Sequence, residues 1–214
     1  NIRAKAASAL GTGPINVYAG GGVTLDVNTV LNPGQTVTVH TSSSGALPVV
    51  GIGWNVDPTT LNITVSPNAP SGVFALSNYT TGSYDIALDM STLCGGMYSN
   101  WYLGAALWEH GRYTADTLGA GAGGVYRLGG GGAQLFLNRN RGTDLSGDVT
   151  EAYGPGRNLL TGDNSVVVGQ PAGNFVINSY GERLGFAATN DYTGNTVLYP
   201  NVYSMVLSPV YTPD

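Results

Sequence analysis

Thr36-Val-Thr-Val-His40 and Leu61-Asn-Ile-Thr-Val65 are the stretches whose reading decides the fold. Both alternate strictly. An extended chain therefore carries Val37 and Val39, or Leu61, Ile63 and Val65, on one face and hydroxyl, amide or imidazole groups on the other. One face of each belongs in a core and the other in water. Working outward, similar short runs rich in Val, Thr, Tyr and Ile recur at Val23 to Val30, Gln35 to Thr41, Leu61 to Ser66, Gly72 to Ser77 and Ser83 to Met90. Later ones follow at Tyr98 to Trp108, Gln134 to Asn138, Ser165 to Val168, Asn174 to Ser179, Arg183 to Ala187 and Val202 to Val210. The 33 glycines and 11 prolines punctuate them. Helix signals are scarce: Ala105 to Trp108 is too short, and only the first ten residues compete.

Strands spaced about ten residues apart, with turn signals between, predict an all-β domain of the β-sandwich or jelly-roll kind, pilin-like or Ig-like. The glycine-rich stretch Leu118 to Gly132 is expected as a mobile loop or wide turn region between two halves. It carries no Gly-Lys-Ser/Thr and opens no helix, so a phosphate cradle is not expected there. The expected domain division is an extension over residues 1–13 and one large domain over 14–214.

Composition narrows the function. Of 214 residues only 10% are charged, against a usual value of about 25%. Lys5 is the single lysine, and the net charge is −5 with no basic run. Nucleic-acid binding needs a cationic footprint, so it is not expected. No stretch of 18 apolar residues spans a membrane. Neutral Asn, Ser, Thr and Tyr supply the polarity, which suits secreted β proteins, fibre subunits and capsids. A chain opening on Asn1 fits a mature form with its leader removed. Cys94 stands alone, so an internal disulfide is excluded and the residue is expected as a small buried hydrophobe. Stability must then come from the core, a metal or oligomerisation.

Residues 1–10 place Ile2, Ala4, Ala6 and Leu10 on even positions, before Gly11, Gly13 and Pro14 break the chain. A tail with small apolar side chains on one face suits insertion into a neighbour's sheet, where backbone hydrogen bonds supply affinity and pockets set register. A disordered tail, an ordinary first strand and a short helix are the alternatives. The stretch Asn16-Val-Tyr, then Val27 and Pro33-Gly-Gln-Thr-Val-Thr-Val39, is similar in style to an early strand pair of pilus adhesin lectin domains. Tyr203-Ser-Met-Val-Leu-Ser-Pro-Val-Tyr211 is similar to the last strand of many pilins. The layout thus resembles surface-filament subunits that assemble by donor-strand exchange, as in chaperone–usher pilins and some archaeal filaments. The chain departs from most bacterial pilins in lacking a cysteine pair. The resemblance implies an extracellular, cell-surface homopolymer with Ile2, Ala4, Ala6 and Leu10 as the donated strand.

Chemistry-bearing motifs are few, and an enzyme is not expected. His40 and His110 are the only histidines, and no Gly-x-Ser-x-Gly elbow accompanies them. His40 is expected to face solvent, opposite Val37 and Val39. One Cys and two distant His do not supply the ligand set of a zinc site, so none is expected. Asp144, Asp148 and Glu151 share a glycine-containing loop but lack the Asp-x-Asp-x-Asp spacing of a calcium site. No metal or other cofactor is expected. Asp85, Asp89, Glu109 and Asp116 are the carboxylates from which a glycosidase pair could be drawn. Tyr98, Trp101, Tyr102, Trp108 and Tyr113 fall within 16 residues. They are either an aromatic core plug or a platform for glycans, and the second makes a carbohydrate-binding or adhesin domain the alternative function. A viral jelly-roll coat protein is the third. Asn62-Ile-Thr64 and Asn78-Tyr-Thr80 are N-glycosylation sequons.

Overall fold

The computed structural model describes residues 1–28, 31–40, 47–66, 71–77, 84–93, 95–107, 109–137, 159–169 and 190–199, together with the backbone path of 183–186 and 204–207. Among these residues every regular element is a short strand, apart from one 3-10 turn at Pro58–Thr60. The first strands are β1 (Ile2–Ala4), β2 (Ile15–Val17), β3 (Gly22–Leu25), β4 (Val37–Val39), β5 (Val49–Ile52) and β6 (Ile63–Val65). Then come β7 (Val73–Leu76), β8 (Leu88–Asp89), β9 (Tyr102–Ala105), β10 (Gly111–Tyr113), β11 (Leu118–Gly119), β12 (Val125–Leu128) and β13 (Leu135–Leu137). The last are β14 (Ser165–Val168), β15 (Arg183–Phe186), β16 (Thr196–Leu198) and β17 (Ser204–Leu207).

These strands pair in the order β1-β3-β5-β7-β9-β12-β14-β16 in one long sheet. The second face of the molecule is built from β2-β4-β6 and β10-β13-β15-β17, with β8 and β11 as a separate pair. Every strand pairing is parallel. The chain therefore winds as a β-solenoid, each coil giving one strand to the long sheet and most giving one to the opposite face. A parallel pair needs a crossover of a dozen or more residues. Here the rest of the coil is that crossover.

The expected β-sandwich or jelly roll is thus corrected to a parallel solenoid, and the pilin-like and Ig-like variants go with it. Alternation marks Val37–Val39 and Ile63–Val65 as half-buried strands, and they are. It does not say what pairs with them. Consecutive strands ten residues apart look like hairpin partners, but here they lie on opposite faces and each pairs a full coil away.

One interior row shows how the coils stack. Ile2, Val23, Val50, Phe74, Leu103, Leu128, Val168 and Leu198 occupy one register position through eight coils. The six inner members are fully buried, and each such side chain stabilises the fold by about 1.5–3 kcal/mol. Val17, Val39 and Val65 form the facing row on β2, β4 and β6. Together they fill one continuous core. A smaller apolar cluster of Val73, Ala75, Tyr102 and Ala106 lies apart from it, with Val49 and Val167 against it.

The glycine-rich stretch is a second correction. It holds β11 and β12, and Gly129 to Gly132 all have φ between +89° and +100°. Glycine alone adopts such a run without strain. Gly129 N donates to Leu103 O and Ala105 N donates to Gly130 O, so the run lies directly on β9.

The interior also holds tyrosines with partners. Tyr84 and Tyr113 stack with centroids 5.9 Å apart. The Tyr84 hydroxyl donates to Val56 O, while that of Tyr113 donates to Thr117 O and accepts from Leu88 N. Burial pushes both hydroxyls well above the ordinary tyrosine value. Groups held protonated in the fold contribute stability that is fully present below about pH 10, where the unfolded chain begins to ionise, and lost as pH rises further. Urea midpoints are therefore expected to fall steeply above about pH 10. Tyr113→Phe should cost about 1–2 kcal/mol at pH 7, by leaving Leu88 N–H and Thr117 C=O without their partner, and should flatten that alkaline fall. An equal fall in both proteins would contradict this.

Candidate functional site

Three places carry chemistry or unpartnered surface: the two ends of the solenoid, the outer face of β2-β4-β6, and a charged cluster on the long sheet. At the ends, the interior row is interrupted. Ile2 is 61% exposed and Leu198 52% exposed, although both continue a row that is dry everywhere between them. Among the described residues β1 and β16 are also the terminal strands of their sheet, each paired on one side only. An exposed edge of this kind is a template for another strand.

On β2, β4 and β6 the outward positions are neutral and polar. Asn16, Thr38 and Thr64 stand in one cross-strand row. Thr38 Oγ1 and Thr64 Oγ1 are 3.2 Å apart and hydrogen-bonded. Two residues further along the chain, just past each strand, come Tyr18, His40 and Ser66. Tyr18 and His40 stack with centroids 4.7 Å apart and an interplanar angle of 14°. That separation is the spacing of adjacent strands, so the stack follows from parallel pairing in register. His40 Nε2 is hydrogen-bonded to Asn16 Oδ1 at 2.9 Å. His40 points outward, as alternation requires. Tyr18 is 63% exposed, the only exposed aromatic among the described residues.

The charged cluster is Arg3 with Asp26 and Glu109. Arg3 Nε lies 2.5 Å from Asp26 Oδ2, and its Nη2 lies 2.7 Å from Glu109 Oε1. Ser77 Oγ adds a longer bond to Asp26. Desolvation works against the Arg3 charge, but bonds to both carboxylates outweigh it and raise the guanidinium further above its ordinary value. Glu109 comes from the turn after β9, four coils from Arg3.

The residues predicted from sequence distribute as follows. Ile2 and Ala4 belong to β1, which pairs with β3 of the same chain, so residues 2–4 are a rung of the long sheet. Ala6 is exposed and Leu10 packs partly on the core. Tyr98, Trp101, Tyr102 and Tyr113 are buried. Trp101 meets Tyr98 edge to face at 4.2 Å and lies on Gly72, where a Cβ would be 2.7 Å from its ring. Tyr102 faces the small outer cluster. Asp85, Asp89 and Asp116 are exposed. Asp85 accepts from Asn55, and Asp89 from Ser91, whose hydroxyl holds the Asp89 carboxyl below its ordinary value. Glu109 shares the Arg3 guanidinium with a second carboxylate, Asp26. His110 touches Phe136 edge-on. Asn62 and Thr64 both project from the outer face of β6, with Asn62 exposed. Trp108, Cys94, Asn78, Asp144, Asp148 and Glu151 lie outside the described residues.

Among the described residues no group of three His, Cys, Asp or Glu is placed to hold a metal ion. No helix there is long and apolar enough to cross a membrane. The sequence search missed Tyr18 and Asp26. The signal for Tyr18 was present, since Ile15-Asn-Val-Tyr18 alternates as Thr36 to His40 does. Nothing local marks Asp26 as the partner of Arg3. In comparison with known proteins, no family model, no curated protein and no solved structure matches the chain.

Proposed function

We propose that the chain is a structural unit of an extracellular fibre in which copies stack end to end, the last coil of one on the first coil of the next. The observation that carries this reading is the interior row, whose only exposed members are Ile2 at one end and Leu198 at the other. Stacking continues a parallel ladder of the kind already present seven times over within the long sheet. It buries both apolar ends and satisfies backbone groups along two open edges. A head-to-tail contact that does not close on itself grows as an open filament. The low charge and neutral polar surface support an extracellular setting. In this form of the reading the edge of β1 is offered to the neighbour while its other side remains paired with β3.

The test uses two blocked ends. Sedimentation velocity of the wild-type chain is expected to show mass growing with concentration. Ile2→Arg and Leu198→Arg should each be largely monomeric alone. Mixed, they should form one-to-one dimers and nothing longer, because only one good pair of ends remains. A wild type that stays monomeric, or single variants that grow as the wild type does, would sink the proposal.

A further inference from the structure

We infer that Tyr18 anchors the end-to-end contact: its free ring face seats the last coil of a second copy of this chain, on the face of the solenoid opposite β1. The inference rests on the stacking reading above and extends it from the long sheet to the second face. Five large apolar side chains are exposed among the described residues. Ile2 and Tyr18 belong to the first coil and Val197 and Leu198 to the last, with only Met97 between the ends. Exposed apolar groups gathered in one place mark a contact surface. The first end carries them on both faces, Ile2 in β1 and Tyr18 just past β2.

The ring is aimed along the axis. Tyr18 lies on His40 with an interplanar angle of 14° and centroids 4.7 Å apart, which is the separation of adjacent coils. The second coil thus covers one ring face, and the other points to where a coil before the first would lie. β2 ends its sheet on that side. Among the described residues nothing covers the free ring face, and the side chain stays 63% exposed. A copy stacked in continuation of the ladder brings its last coil, which carries β17 on the second face, over that ring at the same spacing. The stack on His40, itself bonded to Asn16, orders the ring before contact, so little side-chain entropy is lost on binding. Contacts on both faces hold the neighbour against rocking about a single edge.

Sedimentation equilibrium of mixed end-blocked chains tests this. Leu198→Arg keeps a native first end and Ile2→Arg a native last end, so their one-to-one dimer has a single contact. Tyr18→Ala added to Leu198→Arg is expected to raise the dimer dissociation constant about tenfold, with the melting temperature of that chain unchanged. Tyr18→Phe in the same chain should keep the parent constant, because it keeps the ring. Tyr18→Ala added to Ile2→Arg, whose first end is already blocked, should change nothing. A dimer unmoved by Tyr18→Ala in the Leu198→Arg chain overturns the inference, leaving stacking in place and the ring free for a different occupant. Equal weakening from either chain also overturns it, as does a loss with Tyr18→Phe as large as with Tyr18→Ala. No dimer from the parent pair overturns the stacking reading itself, and this inference with it.

Discussion

Gly104→Val is expected to abolish folding at 25 °C, as read by loss of the far-ultraviolet strand signal and of a cooperative melt. A Cβ at this position would lie 2.8 Å from Gly129 O, and nearer still to Gly130 O. Both atoms are backbone, so no rotamer change relieves the contact. Nor can the two segments separate cheaply, because Gly129 N donates to Leu103 O at 2.8 Å and Ala105 N donates to Gly130 O at 3.0 Å. The coils of β9 and β12 meet here through backbone alone. Forcing them apart opens the middle of the interior row, between Leu103 and Leu128. Effects above about 4 kcal/mol are rare for single substitutions and arise from this kind of backbone overlap in a packed interior. Domains are stable by only about 5–15 kcal/mol, so a loss of this size leaves little native protein. Gly13→Ala is the comparison. A Cβ there meets nothing within 4 Å, and it should change stability by no more than about 0.5 kcal/mol. A folded Gly104→Val chain with a normal melt would show that the close backbone approach of the two coils is not what holds them in register.

Arg3→Ala should cost about 3 kcal/mol in a urea titration. Removing one member of a buried ionic group leaves the others desolvated without a counter-charge, which costs about 3–5 kcal/mol. The low end applies because the guanidinium is 19% exposed, whereas the Asp26 and Glu109 side chains are each 10% exposed. The loss should lie in the uncompensated carboxylates rather than in the missing attraction. A triple variant, Arg3→Met with Asp26→Asn and Glu109→Gln, is therefore expected to recover most of the stability. If the triple variant is as unstable as Arg3→Ala, packing of the arginine stem is what matters. Because Glu109 hangs from the turn after β9, the cluster also ties the first coil to the fifth. Arg3→Ala should accordingly loosen β1 selectively, seen as faster hydrogen exchange at Asp26 N–H, which donates to Ala4 O.

How far these features were legible differs by residue. Val37, Val39, Ile63 and Val65 declare themselves, since burial on one face of a strand requires period two. The outward position of His40 follows from the same count, and Tyr18 could have been placed by it. The aromatic run from Tyr98 to Tyr113 was ambiguous because a ring that packs on a sugar and a ring that packs on Gly72 are the same ring. The coil repeat was hidden for a definite reason. Successive members of the interior row, Ile2, Val23, Val50, Phe74, Leu103, Leu128, Val168 and Leu198, are unevenly spaced in sequence, the widest gap being from Leu128 to Val168. Loops of different length leave a solenoid through its sides without disturbing the stack. Self-similarity at a fixed period therefore never appears.

By itself the sequence determined that this chain is built of short strands, that one face of each is dry, and that its surface is neutral rather than charged. Those properties belong to single residues and their immediate neighbours. Only the tertiary structure decided that the strands run parallel, that Phe74 sits on Val50 rather than on a strand ten residues away, and that Arg3 meets Glu109. Pairing is a choice among distant segments of similar apolar character. It is settled by backbone close approach at positions such as Gly53, which lies against the Asp26 backbone, and Gly104, which no local pattern announces.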